Sequence, residues 1–214
     1  MLRGASEWAS PDALKPRLVR IGSQAKAAVA LLSLCAAMLL GNGHAVAHEL
    51  LKNTASMLKS GPKTIALSFQ LDPSATLHRA LKPEMPFDAF LARYADMPMA
   101  EFQVELTKAQ TALARDIRIN GPDGKKMALN SWKWQDAQTW KDMLRAQLLI
   151  SLATPNELGH LQQTAASAQA ISPRPISHVQ VSLPRAMNPI LVRSSPTDAF
   201  WLTDQIPQAI VTYE

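Results

Sequence analysis

Cysteine is almost absent. The 214 residues hold one, Cys35, inside an apolar run near the start of the chain. Long apolar runs are absent too: the stretch from Ala27 to Leu40 is 14 residues, short of the ~20 a helix needs to cross a bilayer. Catalytic signatures are missing as well. There is no Gly-x-Ser-x-Gly elbow, no His-Glu-x-x-His, no glycine loop to cradle a phosphate and no cysteine nucleophile beyond Cys35. No internal repeat is visible, and no basic stripe marks a nucleic-acid partner.

What is present at the N-terminus is a leader pattern. Lys15, Arg17, Arg20 and Lys26 precede the apolar run, Gly41-Asn42-Gly43 follows it, and Ala45-Val46-Ala47 then offers the small-x-small signature of a cleavage site. The reading is an export signal over residues 1–47, cut after Ala47, with an uncleaved N-terminal membrane anchor as the alternative. Lipidation of Cys35 is disfavoured by the bulky Leu34 before it and by its place in mid-run. Residues 48–214 then form one periplasmic β-rich domain without cysteine, so a disulfide-linked partner and thiolate metal sites are excluded. The segment 1–47 carries +3 of the formal +5, leaving a nearly neutral mature chain.

Periodicity gives the expected elements. In "KTIALSFQL" the apolar residues Ile65, Leu67, Phe69 and Leu71 alternate, the pattern of a half-buried strand, and Asp72-Pro73 ends it. Phe87, Phe90, Leu91 and Tyr94 have helical spacing between flanking prolines. A second helix is expected over about 98–112, with Asp96 as its cap, followed by a β-hairpin from Ile117 to Trp134 around "NGPDGKK". A third helix follows over 136–147, then "LLISLA" as a buried strand. Residues 155–175 hold only Leu158, Leu161 and Ile171 as large apolar side chains, which predicts a mobile loop or a surface helix. Strands at 179–183, 190–192 and 210–213, broken by prolines, close the chain. The fold class is α+β: a β-sandwich-like antiparallel sheet with two or three inserted amphipathic helices.

The order of a His-Glu start, a strand closing on Asp-Pro, short aromatic helices, a helix running into "DIRINGPDGKKMAL" and a late "ILVR" strand with Trp201-Leu202 resembles the extracytoplasmic N-terminal domain of HupE/UreJ-type membrane proteins. The resemblance covers most of residues 48–214 and implies a periplasmic β-rich module working beside a membrane protein. Members of that type generally continue into several membrane helices, whereas no second apolar run long enough to span follows here.

Four groups of residues carry candidate chemistry. Cleavage after Ala47 would make His48 the first residue, offering amine and imidazole to one copper ion. Completing that site needs a second imidazole from His78, His160 or His178. Met85, Met97 and Met99 offer soft thioethers for Cu(I), or gap-filling packing. Glu84 with Asp88, or Glu101 with Glu105, are carboxylate pairs at helical spacing, where solvated surface charge is the plain reading. Trp132 and Trp134 share one side of a strand, so both are core or both form a patch for a partner or a carbohydrate. Together these point to a non-catalytic exported binding or accessory protein acting with a membrane or other periplasmic protein and needing no cofactor. A copper-binding protein built on His48 is the alternative, and a hydrolase is the third reading.

Overall fold

The computed structural model describes residues 53–153, 163–195 and 198–213. The leader 1–47, His48, His160 and the 155–162 part of the expected loop lie outside the described residues.

Strand β1 (Thr54–Gly61) turns tightly into β2 (Thr64–Leu71). Four helices follow or interrupt the strands: α1 (Pro73–Leu81), α2 (Phe87–Asp96), α3 (Met99–Asp116) and α4 (Ala137–Ala153). The remaining strands are β3 (Arg118–Asn120), β4 (Ala128–Trp134), β5 (Thr164–Ile171), β6 (His178–Ser182), β7 (Ile190–Arg193), β8 (Ala199–Leu202) and β9 (Gln208–Thr212). A six-stranded sheet runs β4-β5-β2-β1-β7-β8 and a three-stranded sheet runs β3-β6-β9. All neighbours are antiparallel except β1 and β7. The α+β class expected from the sequence is the fold observed.

Alternation explains how the sheets meet. Ile65, Leu67, Phe69 and Leu71 are buried, while Ser68 and Gln70 between them are exposed. The buried face shares one core with Ile119, Val179, Val181 and Val211 of the smaller sheet, as in a sandwich. A second core lies among the helices, around Leu77, Phe90, Tyr94, Phe102, Leu106 and Trp140. Each fully buried side chain of this kind stabilises by roughly 1.5–3 kcal/mol relative to exposure. Between α2 and α4, Lys141 Nζ donates to the Met97 carbonyl and Arg145 Nε to that of Ala95 at 3.1 Å, satisfying acceptors that the end of α2 leaves open.

Several expectations are corrected. Residues 164–171 of the expected mobile loop form β5, paired with β2 over eight positions and with β4 on its other side. Its inward residues Ala166, Ala168 and Ala170 are buried at 3%, 4% and 0% exposure. Alanine loses no side-chain entropy on ordering, and two hydrogen-bonded neighbours supply what its small side chains do not. Residues 172–176 are also held, through Ser172 N to Lys63 O and Ile176 N to Pro62 O, both 2.8 Å. The "LLISLA" segment is helical, because nothing breaks α4 after Gln147; Leu149 and Leu152 face outward at 67% and 72% exposure. The Ile117–Trp134 hairpin exists only at its tip, where Asn120 bridges Lys126; its arms then part into different sheets. Asp96 ends α2 instead of capping α3, whose N-cap is Pro98.

Helix α1 and strands β1 and β8 were not foreseen. Asp72-Pro73, read as a strand terminator, is equally a helix start: Asp72 Oδ1 accepts from Ser74 N at 2.9 Å and Ala75 N at 3.0 Å, with proline in the first turn. Burial raises the Asp72 pKa above its ordinary value, against the lowering effect of those two bonds. The buried Asn53 then joins three elements. Its Nδ2 donates to Met187 O at 2.7 Å, its Oδ1 accepts from Asp72 N at 2.6 Å, and its carbonyl accepts from Leu191 N at 2.9 Å.

Asn53→Ala leaves one donor and one acceptor without partners, at about 1–3 kcal/mol each. Urea unfolding is expected to show a loss of roughly 2–6 kcal/mol. A loss near zero would mean that water or local rearrangement replaces the amide.

Candidate functional site

Trp132 and Trp134 lie on β4, an edge strand of the larger sheet. Their orientation depends on one extra residue. Asn130 is opposite Gln169 and Lys133 opposite Ser167, so β4 takes three steps where β5 takes two. Ser131 is in that bulge at φ 57°, a left-handed conformation. Leu129, opposite the buried Ala170, faces inward. Strict alternation from there would send Trp132 and Trp134 outward, because the side-chain period of a strand is two. The added residue reverses the parity and sets Trp134 opposite the buried Ala166, on the inner face.

The two indoles are near-parallel, 5.2 Å apart at 9°, and Trp132 stacks on Phe69 of β2 at 6.1 Å and 18°. Ala166 is paired with Phe69 on one side and Trp134 on the other. Its methyl group leaves the room over β5 that the large rings occupy. Both tryptophans are half-buried and pack against the sheet core, and Trp134 also packs against the helical core. Neither of the two alternatives read from the sequence holds alone: the rings are anchored like core and open like a patch.

Facing them is α3. Thr107, Gln110, Thr111 and Ala114, with the two indoles, line a cleft of about 330 Å³. The Thr107 hydroxyl donates to Gln103 O at 2.7 Å and that of Thr111 to Thr107 O at 2.8 Å, which leaves their oxygens as acceptors. The indole Nε1–H groups and the Gln110 amide add donors without partners among the described residues. The cleft thus combines aromatic surface with both polarities of hydrogen bond, the composition of a recognition surface. The α3 residues were missed in the sequence. Their spacing of 107, 111 and 114 does put them on one helix face, but nothing local shows that tryptophans some 20 residues later lie opposite.

The other candidates are placed as follows. His78, on α1, is half-buried, with its Nε2 2.6 Å from Met85 O and its ring 5.4 Å from Phe87 and 5.1 Å from Phe90. A carbonyl only accepts, so Nε2 carries the proton and is not free to ligate. His178 is exposed at the start of β6, its Nδ1 3.1 Å from Ser177 Oγ. The two share no hydrogen bond or ring contact, and no three His, Cys, Asp or Glu side chains group as metal ligands among the described residues. Met85, Met97 and Met99 are partly buried against the helical core. Glu84, Asp88 and Glu101 are exposed, and Glu105 pairs with Lys108 at 2.6 Å. Trp140 is fully buried and belongs to the helical core, apart from the shelf.

Comparison with protein-family models, with curated proteins and with solved structures gives no match.

Deleting Ser131 removes the extra residue and leaves two steps on each strand between Asn130–Gln169 and Lys133–Ser167, so both indoles are expected to stay on the inner face. Tryptophan emission should then keep its position, because Trp134 remains opposite the buried Ala166. Ser131→Gly, which keeps the bulge and tolerates a positive φ, should retain the emission and change stability by less than about 1 kcal/mol. A red shift of the emission in the deletion, reporting indoles turned toward solvent, would show that the register beyond the bulge does not set the facing.

Proposed function

We propose that the chain is a non-catalytic exported accessory protein that binds a protein partner through the Trp132–Trp134 shelf and the α3 wall opposite. The observation that carries this reading is the half-open pair of stacked indoles. Rigid aromatic rings supply large contact area at little loss of side-chain freedom, which is why tryptophan is frequent at the centres of interfaces.

The edge position of β4 supports contact through side chains over strand addition. The bulge at Ser131 and the outward Lys133 both interrupt the ladder that an incoming strand would need. The leader pattern over residues 1–47 and the resemblance to the extracytoplasmic domain of HupE/UreJ-type proteins support a periplasmic location and a separately encoded membrane protein as the partner. The binding itself needs no metal: the shelf offers hydrogen-bonding and aromatic groups, and no imidazole or carboxylate lines it among the described residues.

A photo-crosslinking amino acid placed at Gln110 in the full chain, expressed in the source cell, tests the assignment. The expected product is an adduct to a membrane-fraction protein, reduced at least about tenfold in Trp132→Ala/Trp134→Ala, the scale of losing one hot-spot residue. An adduct unaffected by the double substitution, or none at all from an exported and folded protein, would contradict the proposal.

A further inference from the structure

A second cleft, of about 470 Å³, lies where the end of α1 meets the Arg185–Met187 turn and the segment after β8. It is lined by Arg79, Arg185, Asn188, Thr203, Asp204 and Gln205, with Pro189. Arg79 Nη1 donates to the Asn188 carbonyl, which fixes its guanidinium on the wall and leaves its other N–H groups available. The side chain of Arg185 is exposed and has neither an ion pair nor a hydrogen bond among the described residues. Asp204 accepts from Asn188 Nδ2 at 2.9 Å and pairs with no cation among the described residues. Opposite charges therefore share one small cleft without neutralising each other.

Asn188 anchors the acidic side of the cleft. It is 5% exposed, and its Oδ1 has no hydrogen-bond partner. The amide cannot be turned around to remove that vacancy. A carboxylate such as that of Asp204 only accepts, so the NH₂ must face it and the oxygen must be the group left over. That oxygen has no surface open to the cleft, so the part of the amide in the site is to hold Asp204 in place. The loop that carries Asp204 is held in shape by Thr203 N to Ile206 O at 3.0 Å and Ile206 N to Thr203 Oγ1 at 3.1 Å.

We propose that this cleft binds a small zwitterion with one carboxylate and one amine, the chemistry of a free α-amino acid. The carboxylate meets the guanidinium groups of Arg79 and Arg185, whose forked N–H donors match its geometry. The ammonium meets the exposed carboxylate of Asp204. A dianion such as phosphate suits the cleft less well, because the Asp204 carboxylate would repel it. The site is independent of the tryptophan shelf.

Calorimetric titration of the full-length protein with L-alanine, N-acetyl-L-alanine and L-alaninamide tests both poles. L-Alanine is expected to bind saturably at millimolar concentration or below, and each capped analogue at least about tenfold more weakly, a difference of about 1.4 kcal/mol. Asp204→Asn keeps an acceptor for Asn188 Nδ2 while removing the charge, and should erase the preference for L-alanine over its N-acetyl form. Arg185→Gln should erase the preference over the amide. Trp132→Ala/Trp134→Ala should leave L-alanine binding unchanged, which separates this site from the shelf. No saturable binding of L-alanine, equal binding of all three probes, or unchanged affinity in both charge variants would overturn the proposal.

Discussion

The arrangement depends on a strand that can be narrow on one face and fully paired on both edges. Strand β5 lies between β2 and β4, and its inward residues are Ala166, Ala168 and Ala170. Larger side chains there would contest the space that Phe69, Trp132 and Trp134 fill. With methyl groups alone, the rings of the neighbouring strands can meet across it, and the stack from Phe69 to Trp134 becomes possible. The same strand fixes where β4 runs, and so where the shelf stands relative to α3. A densely packed interior is sensitive to single methylene changes, so the alanine face is a constraint on the site as much as on the core.

A second level of organisation comes from polar groups that would be costly to bury alone. Asn53 satisfies Asp72 N and Met187 O, which brings the start of α1 beside the Arg185–Met187 turn. That juxtaposition creates the cleft lined by Arg79, Arg185 and Asp204. The tryptophan shelf and the charged cleft therefore arise from different causes: one from small residues that leave space, the other from a buried amide that draws elements together. Trp134, in contact with both the sheet core and the helical core, links the two packing regions.

The legible parts of the sequence were those whose own period states their environment. Strand β2 and helices α2 and α3 follow that rule, with Ile65 to Leu71 alternating and Phe102, Leu106, Ala109 and Leu113 on a helical stripe. Strand β5 was hidden because apolar bulk is the usual signal of a buried strand, and here the bulk comes from its neighbours. Leu148 to Ala153 misled for the opposite reason: a short apolar run carries no period, and only the surrounding helix decides it. Asp72-Pro73 ends one element and begins another, so it could be read either way. For the site, the shared facing of Trp132 and Trp134 was readable from their spacing. Which side they face was not, since it turns on a bulge at Ser131, a residue whose type does not announce a positive φ. The α3 wall and the meeting of Arg79 with Asp204 are long-range contacts without a local signature.

The claim on which the account rests is that residues 164–171 are a central strand supporting the tryptophan shelf. Hydrogen–deuterium exchange of the purified protein tests it most directly, because amide protection reports backbone bonds in a segment with little side-chain signal. Protection across 164–171 comparable to that of residues 64–71 in β2 is the predicted result. Exchange in 164–171 as fast as in an unstructured peptide, with β2 still protected, would contradict it, since the six-stranded sheet and the shelf built on it would then both be wrong.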